Sequence, residues 1–138
     1  MTKELWINLP VKNIKAAREF YTAIGFTVNS RFPETEQSAS LFAGEKNIVI
    51  MLFEETTFKG FSQSEVTDTR KSNEVLFSID AESPKEVDAL AEKIRAAGGI
   101  IYGEPGESQG WMYGMGFCDL DGHRWSALYM DFSKMPQQ

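Results

Sequence analysis

Apolar and polar positions follow two periods along this chain, and the two periods alternate. Residues 5–11 (LWINLPV) form an apolar, partly β-branched run that ends at Pro10 and Val11, which predicts a strand. Asn13 is a good helix N-cap. After it Ile14, Ala17, Tyr21 and Ile24 recur at helical spacing, with Phe20 widening the stripe. Gly25 stands where that helix would end. Three short strand-like runs follow at 26–32, 39–43 and 47–53, punctuated by Pro33 and Gly44. The same order returns after residue 72. Residues 74–80 (EVLFSID) predict a strand, and Ser83-Pro84-Lys85-Glu86 is a capping box with proline at the first helical position. Val87, Leu90, Ala91, Ile94 and Ala97 make one apolar helix face, closed by Gly98 and Gly99. Runs at 100–102, 111–118 and 124–130 predict three more strands, with a tight Asp121-Gly122 turn between the last two.

Each half therefore reads strand, helix, strand, strand, strand. The first spans about 4–54 and the second about 73–131, within a single domain covering 1–138. Residues 55–72 link them. They are polar but carry Phe58 and Phe61, which predicts a short helix or loop docking those two rings. Residues 103–110 (GEPGESQG) read as a polar, mobile loop, and 133–138 as a frayed tail. A four-stranded sheet with one helix covers only one of its faces. Two such units side by side would form an α+β fold, a cupped mixed sheet with helices outside and a ligand site in the cup.

Composition narrows the function. The 138 residues are 42% hydrophobic, enough for a core without staples. Lys and Arg total 14 against 20 Asp and Glu, a net charge of -6, so nucleic acid and anionic membrane are poor partners. No apolar run approaches the roughly 20 residues that span a bilayer. The opening MTKELWINLP lacks the apolar stretch of a secretion signal, so cytoplasm is the expected compartment. The single cysteine, Cys118, cannot form an internal disulfide, and the single histidine, His123, cannot make a multi-histidine metal site.

Four stretches carry a family resemblance: NLPVKNIKAAREFYTAIGF (8–26), EVLFSIDAESPKEVDALAEKIRAAGG (74–99), GWMYGMGFCDLDGHRW (110–125) and SALYMD (126–131). With the paired βαβββ order, they resemble the vicinal oxygen chelate superfamily of glyoxalase I, bleomycin-resistance proteins and extradiol dioxygenases. The bacterial group of predicted lactoylglutathione-lyase-like proteins is most similar. The resemblance spans nearly the whole chain and implies a homodimer. It also implies a divalent metal, such as Ni, Zn, Mn or Fe, held by the first and fourth strands of each half. The four ligand positions fall on Trp6, Met51, Glu74 and Ser126. An indole nitrogen only donates, a thioether is too soft for Mg, Mn or Fe(II), and a serine hydroxyl is a weak neutral ligand. Glu74 alone is hard and anionic. The expectation is therefore no metal cofactor.

The candidate ligand-binding residues are Trp6, Asn8, Met51, Glu74 and Ser126. Trp6 and Asn8 share a strand face. They are either a stacking wall and a hydrogen-bonding fork, or core. Glu74 is either a catalytic carboxylate at the rim of the cup or an exposed strand-end acid. Trp111, Tyr113, Met115 and Phe117 alternate with Met112, Gly114, Gly116 and Cys118, so the glycine face invites a close approach. His123 reads as a turn residue, and Cys118 as a buried, inert thiol. Together these features favour a protein that binds a small aromatic or cationic molecule without metal. A metal-dependent lyase or isomerase of the glyoxalase I (lactoylglutathione lyase) type is the alternative. A dioxygenase, which needs two His and a carboxylate, fits least.

Overall fold

The computed structural model of the chain describes residues 1–45 and 48–137. Asn47, expected to open a strand, and Gln138, expected in the tail, lie outside the described residues. The fold is α+β and consists of two βαβββ modules, in units Met1–Ser72 and Asn73–Gln138.

The first module contains β1 (Trp6–Val11), α1 (Ile14–Ala23), β2 (Thr27–Val28), β3 (Ser38–Ala43) and β4 (Ile48–Glu54). Its sheet has the order β1-β4-β3-β2. β1 runs parallel to β4, and the other pairs are antiparallel. Asn13 caps α1 by accepting the Ala16 amide at 2.8 Å, and Gly25 follows the helix with φ 114°. Ile14, Ala17, Phe20 and Tyr21 are buried. They meet the sheet face formed by Leu9, Val11, Ala39, Leu41, Ile50 and Leu52, all buried. This is the period-two alternation of a sheet covered on one side by a helix.

The second module contains β5 (Leu76–Asp80), α3 (Pro84–Ala96), β6 (Ile100–Ser108), β7 (Met112–Cys118) and β8 (Arg124–Met130). Its order is β5-β8-β7-β6, again with the first strand parallel to the last. Ser83 caps α3 through the Glu86 amide at 3.1 Å, and the Glu86 carboxylate accepts from the Glu82 amide at 2.7 Å. Val87, Ala91 and Ile94 face Met115, Phe117, Trp125 and Ala127 to form a second core. Between the modules in sequence runs α2 (Glu55–Ser62), which packs on β1 and β4 of the first sheet.

Four expectations need correction. The run at 26–32 is strand only over Thr27–Val28, because Asn29 turns the chain. Its buried amide donates to Ser40 Oγ at 3.1 Å and accepts the Arg31 amide at 3.2 Å. Glu74 does not open β5, which begins at Leu76 opposite Arg124, the first residue of β8. Residues before Leu76 therefore have no ladder partner in that sheet. Residues 103–108 are not a loop but the continuation of β6. The strand bulges between Ile101 and Gly103 and between Gly103 and Gly106, which absorbs Pro105, a residue with no amide to donate. Gln109 and Gly110, both at positive φ, make the turn together with Trp111. Ser133 and Lys134 are not frayed either. They sit in a single 3-10 turn, Phe132–Lys134, capped by Asp131 through the Ser133 amide at 3.1 Å.

Candidate functional site

The face of the first sheet opposite α1 is set by register. Asn8 pairs with Met51 and Trp6 with Val49, while Ser38 pairs with Phe53. Side chains alternate along a strand, so Trp6, Asn8, Met51, Phe53 and Ser38 project from this one face. Phe58, Phe61 and Ser62 of α2 wall one flank, and Phe32 and Pro33, beyond the Asn29 turn, wall another. Together they frame a cavity of about 730 Å³ that is open to solvent on one side.

Five aromatic rings therefore line one concavity: Trp6, Phe32, Phe53, Phe58 and Phe61. Trp6 and Phe32 meet edge to face at 5.9 Å, and Phe53 and Phe61 at 5.1 Å. Met51 is the buried floor, whereas Trp6 is 43% exposed and Phe61 71% exposed. The Trp6 indole N–H donates to Glu4 Oε2 at 3.1 Å, which ties the ring at the mouth. The guanidinium of Arg31 lies 5.4 Å from the Phe32 ring centroid. Among the described residues, no charged side chain lines the cavity. Asn8 makes no side-chain hydrogen bond among the described residues, so its amide keeps both a donor and an acceptor free. α2 is held by Glu54, whose carboxylate accepts the Thr57 amide and hydroxyl, each at 2.7 Å. The Thr57 hydroxyl, then its amide, holds the Glu54 carboxyl below the usual carboxylate range.

Trp6, Asn8 and Met51 are thus brought together, as their sequence positions suggested. Glu74 and Ser126 belong to the second unit. Glu74 is exposed and precedes β5, and Ser126 Oγ lies 2.6 Å from Ser78 Oγ. Sequence reasoning misses the walls contributed by Phe32, Pro33, Ser38, Phe53 and Ser62, and it gives Phe58 and Phe61 only as docking rings. Phe53 was within reach, being two residues after Met51 on the same strand face, but the Asn29 turn that delivers Phe32 left no periodic signal.

The four positions that the family would use for a metal do not suit one. Trp6 offers only a donor, already engaged with Glu4. Met51 offers a soft sulfur, and Ser126 a hydroxyl engaged by another hydroxyl. No group of three or more His, Cys, Asp or Glu suited to a metal occurs among the described residues. His123 is a turn residue: its amide donates to Asp119 Oδ1 at 2.8 Å and its carbonyl accepts from the Asp119 amide at 3.0 Å. Cys118 is buried, and burial pushes its thiol up, against the opposing pull of Arg124. No described helix is long and apolar enough to cross a membrane.

Comparison with known proteins agrees with this fold. A hypothetical protein from S. aureus shares 33% identity over 94% of both chains, with a TM-score of 0.82. The lactoylglutathione lyase of Agrobacterium tumefaciens is 15% identical over 94% of both chains, at a TM-score of 0.65. A fosfomycin resistance protein from Listeria monocytogenes, solved with Mn(II) and sulfate, is 17% identical over 97% of this chain and 94% of its own, at 0.69. No curated protein sequence matches the chain. The sequence pattern of the Glyoxalase/Bleomycin resistance protein/Dioxygenase superfamily matches residues 5–127, and the chain belongs to that superfamily.

Proposed function

We propose that the chain binds a planar aromatic small molecule, neutral or cationic, in the pocket of its first module and without the divalent metal common in its family. The observation that carries this reading is the ring-lined cavity of about 730 Å³ with a free Asn8 amide among its lining residues. That volume falls in the range of roughly 300–1,000 Å³ of small-molecule sites. Rings on several sides favour a flat ligand through offset stacking and edge contacts. The exposed face of Trp6, in a chain of net charge -6, favours a positive ligand over a negative one. Asn8 would fix orientation through a complementary donor and acceptor edge. Sequestration of a drug-like compound, as the family's bleomycin-resistance members are named for, is a role such a pocket can fill without catalysis. The homodimer implied by family likeness is part of this proposal. β1 and β5 each end their sheets with an unpaired edge, and Leu76 of β5 and the preceding Leu5 and Val75 are exposed. Light scattering on a sizing column tests it, and a monomer at all concentrations would refute it.

The pocket is tested by a panel of planar aromatic compounds, cationic, neutral and anionic, read by thermal shift and by tryptophan fluorescence. A subset should raise the melting temperature, with cations favoured over matched anions. Trp6→Ala should weaken that binding about tenfold or more while leaving the fold intact, since the ring is partly exposed. Failure of every compound, or full affinity in Trp6→Ala, would remove the reading. Turnover of the methylglyoxal–glutathione adduct, lost in Glu74→Gln, would replace it with the lyase alternative.

A further inference from the structure

The open face of the second sheet, away from α3, carries a different chemistry. The register stacks it in rows: Leu76, Arg124 and Cys118; then Ser78, Ser126 and Gly116; then Asp80, Leu128 and Gly114. Tyr102, on β6, lies over Gly116 so closely that a Cβ there would sit 2.3 Å from its ring. The Tyr102 hydroxyl donates to the Trp125 carbonyl at 3.1 Å, which holds the ring against the sheet. Upon that ring stands the Arg124 guanidinium, 4.5 Å from the centroid.

The Arg124 guanidinium donates no side-chain hydrogen bond among the described residues, so its planar fork of N–H groups is available to a ligand. Arg18, Arg70 and Arg95 each pair with a carboxylate, but Arg124 makes no ion pair among the described residues, although it is half-buried. The nearby acids are otherwise disposed. Asp119 accepts the amides of Asp121 and His123. Asp80 stands in the row beyond the serines. Glu74, before β5, is exposed and joins no ion pair among the described residues. A partly desolvated cation without a counter-charge is an unusual investment in an acidic chain. In the row beside it Ser78 and Ser126 share one hydrogen bond at 2.6 Å. Each hydroxyl has one proton and only one proton is used between them, so one O–H remains to donate.

We propose that Arg124, with the Ser78–Ser126 hydroxyl pair beside it, forms an oxyanion-binding site for the carboxylate or the phosphate-type group of a small molecule. Arg124 supplies the charge and a planar fork matched to two oxygens, the serine pair supplies a neutral donor, and Tyr102 sets the angle of the fork. The net charge of -6 gives anions no general attraction to the chain, so binding here must come from these local donors. The site stands on residues of the second module alone and does not depend on the aromatic pocket.

The test is a nuclear magnetic resonance titration with inorganic phosphate and, separately, acetate, against chloride at matched ionic strength. The Arg124 Nε–H signal and the Ser126 amide should shift and saturate with at least one of the two probes and not with chloride. Acetate alone would mark a carboxylate site, and phosphate alone a site for tetrahedral anions. Arg124→Gln should weaken binding about tenfold or more, read at the Ser126 amide, with the rest of the spectrum unchanged. Arg124→Lys should retain part of the affinity, since it keeps the charge but loses the fork. Responses no larger than those to chloride, or unchanged affinity in Arg124→Gln, would overturn the proposal.

Discussion

Gly116 shows how much a single missing side chain can settle. With a Cβ placed 2.3 Å from the Tyr102 ring, Gly116→Ala forces the ring off the sheet and costs its hydrogen bond to Trp125. We expect a loss of about 1–3 kcal/mol in chemical denaturation, the usual cost of overpacking. Tyr102→Leu in the same background should recover part of it, because the colliding ring is gone. The alternation of Gly114 and Gly116 with large residues announced that something lies close to this face. It could not name Tyr102, because the irregularity between Ile101 and Gly103 in the β6–β7 pairing decides which β6 residue arrives there. Glu74 makes the same point in reverse. Its spacing from Leu76 and Ser78 was right for a strand face, but a strand exists only where it has a partner, and β8 begins opposite Leu76. The chemistry of a residue was legible at both positions, and its non-local pairing was not.

α2 is the element on which the aromatic pocket depends, and a carboxylate holds its first turn. Glu54 serves as N-cap where Ser, Thr, Asp or Asn is more usual, accepting the amides of Thr56 and Thr57 and the Thr57 hydroxyl. Those bonds lower its folded-state pKa below the ordinary glutamate value. The sign follows from that direction. The ionised form is favoured in the folded chain, so the contribution is fully present above the unfolded value of about 4.3. It is lost as pH falls through the lower folded value. We therefore expect the amide protection of residues 57–62 to collapse at acid pH before that of β3 and β4. Glu54→Ala should bring the same loss to neutral pH and weaken ligand binding severalfold, because Phe58 and Phe61 are no longer held; equal protection in wild type and variant at neutral pH would exclude this role. Sequence left a helix and a loop both open over 55–72. The spacing of Phe58 and Phe61 was a helical hint, but an eight-residue segment with Gly60 inside it has too little propensity of its own to decide. The capped helices α1 and α3, with long apolar stripes, were legible almost to the residue.

At the scale of the whole molecule, the repeated strand and helix order was readable because each module writes the same alternation of periods twice. The aromatic pocket was only half readable, since parallel pairing of β1 with β4 joins residues far apart in sequence and α2 and the Asn29 turn complete the walls. That pairing sets Asn8 beside Met51, with Trp6 two residues further along the same face, where the family's metal chemistry would need hard donors. A tightly bound ion stabilises the state that holds it, by about 4 kcal/mol at a thousandfold excess over its dissociation constant, and several degrees of melting temperature would follow. An indole bound to Glu4, a buried thioether, a solvent-exposed carboxylate and a paired serine hydroxyl offer no such energy. The melting temperature should therefore move by no more than about 1 °C when Ni, Zn, Mn or Fe(II) is added in excess or when EDTA is present. Restoring donors reverses the argument. A Trp6→His, Met51→Glu double variant places an imidazole and a carboxylate on one sheet face, and ligands of that kind suit Ni or Zn. Added metal should stabilise the double variant more than the parent, while a parent chain that gains several degrees from a stoichiometric ion would show that its metal site lies elsewhere or is built from donors other than these.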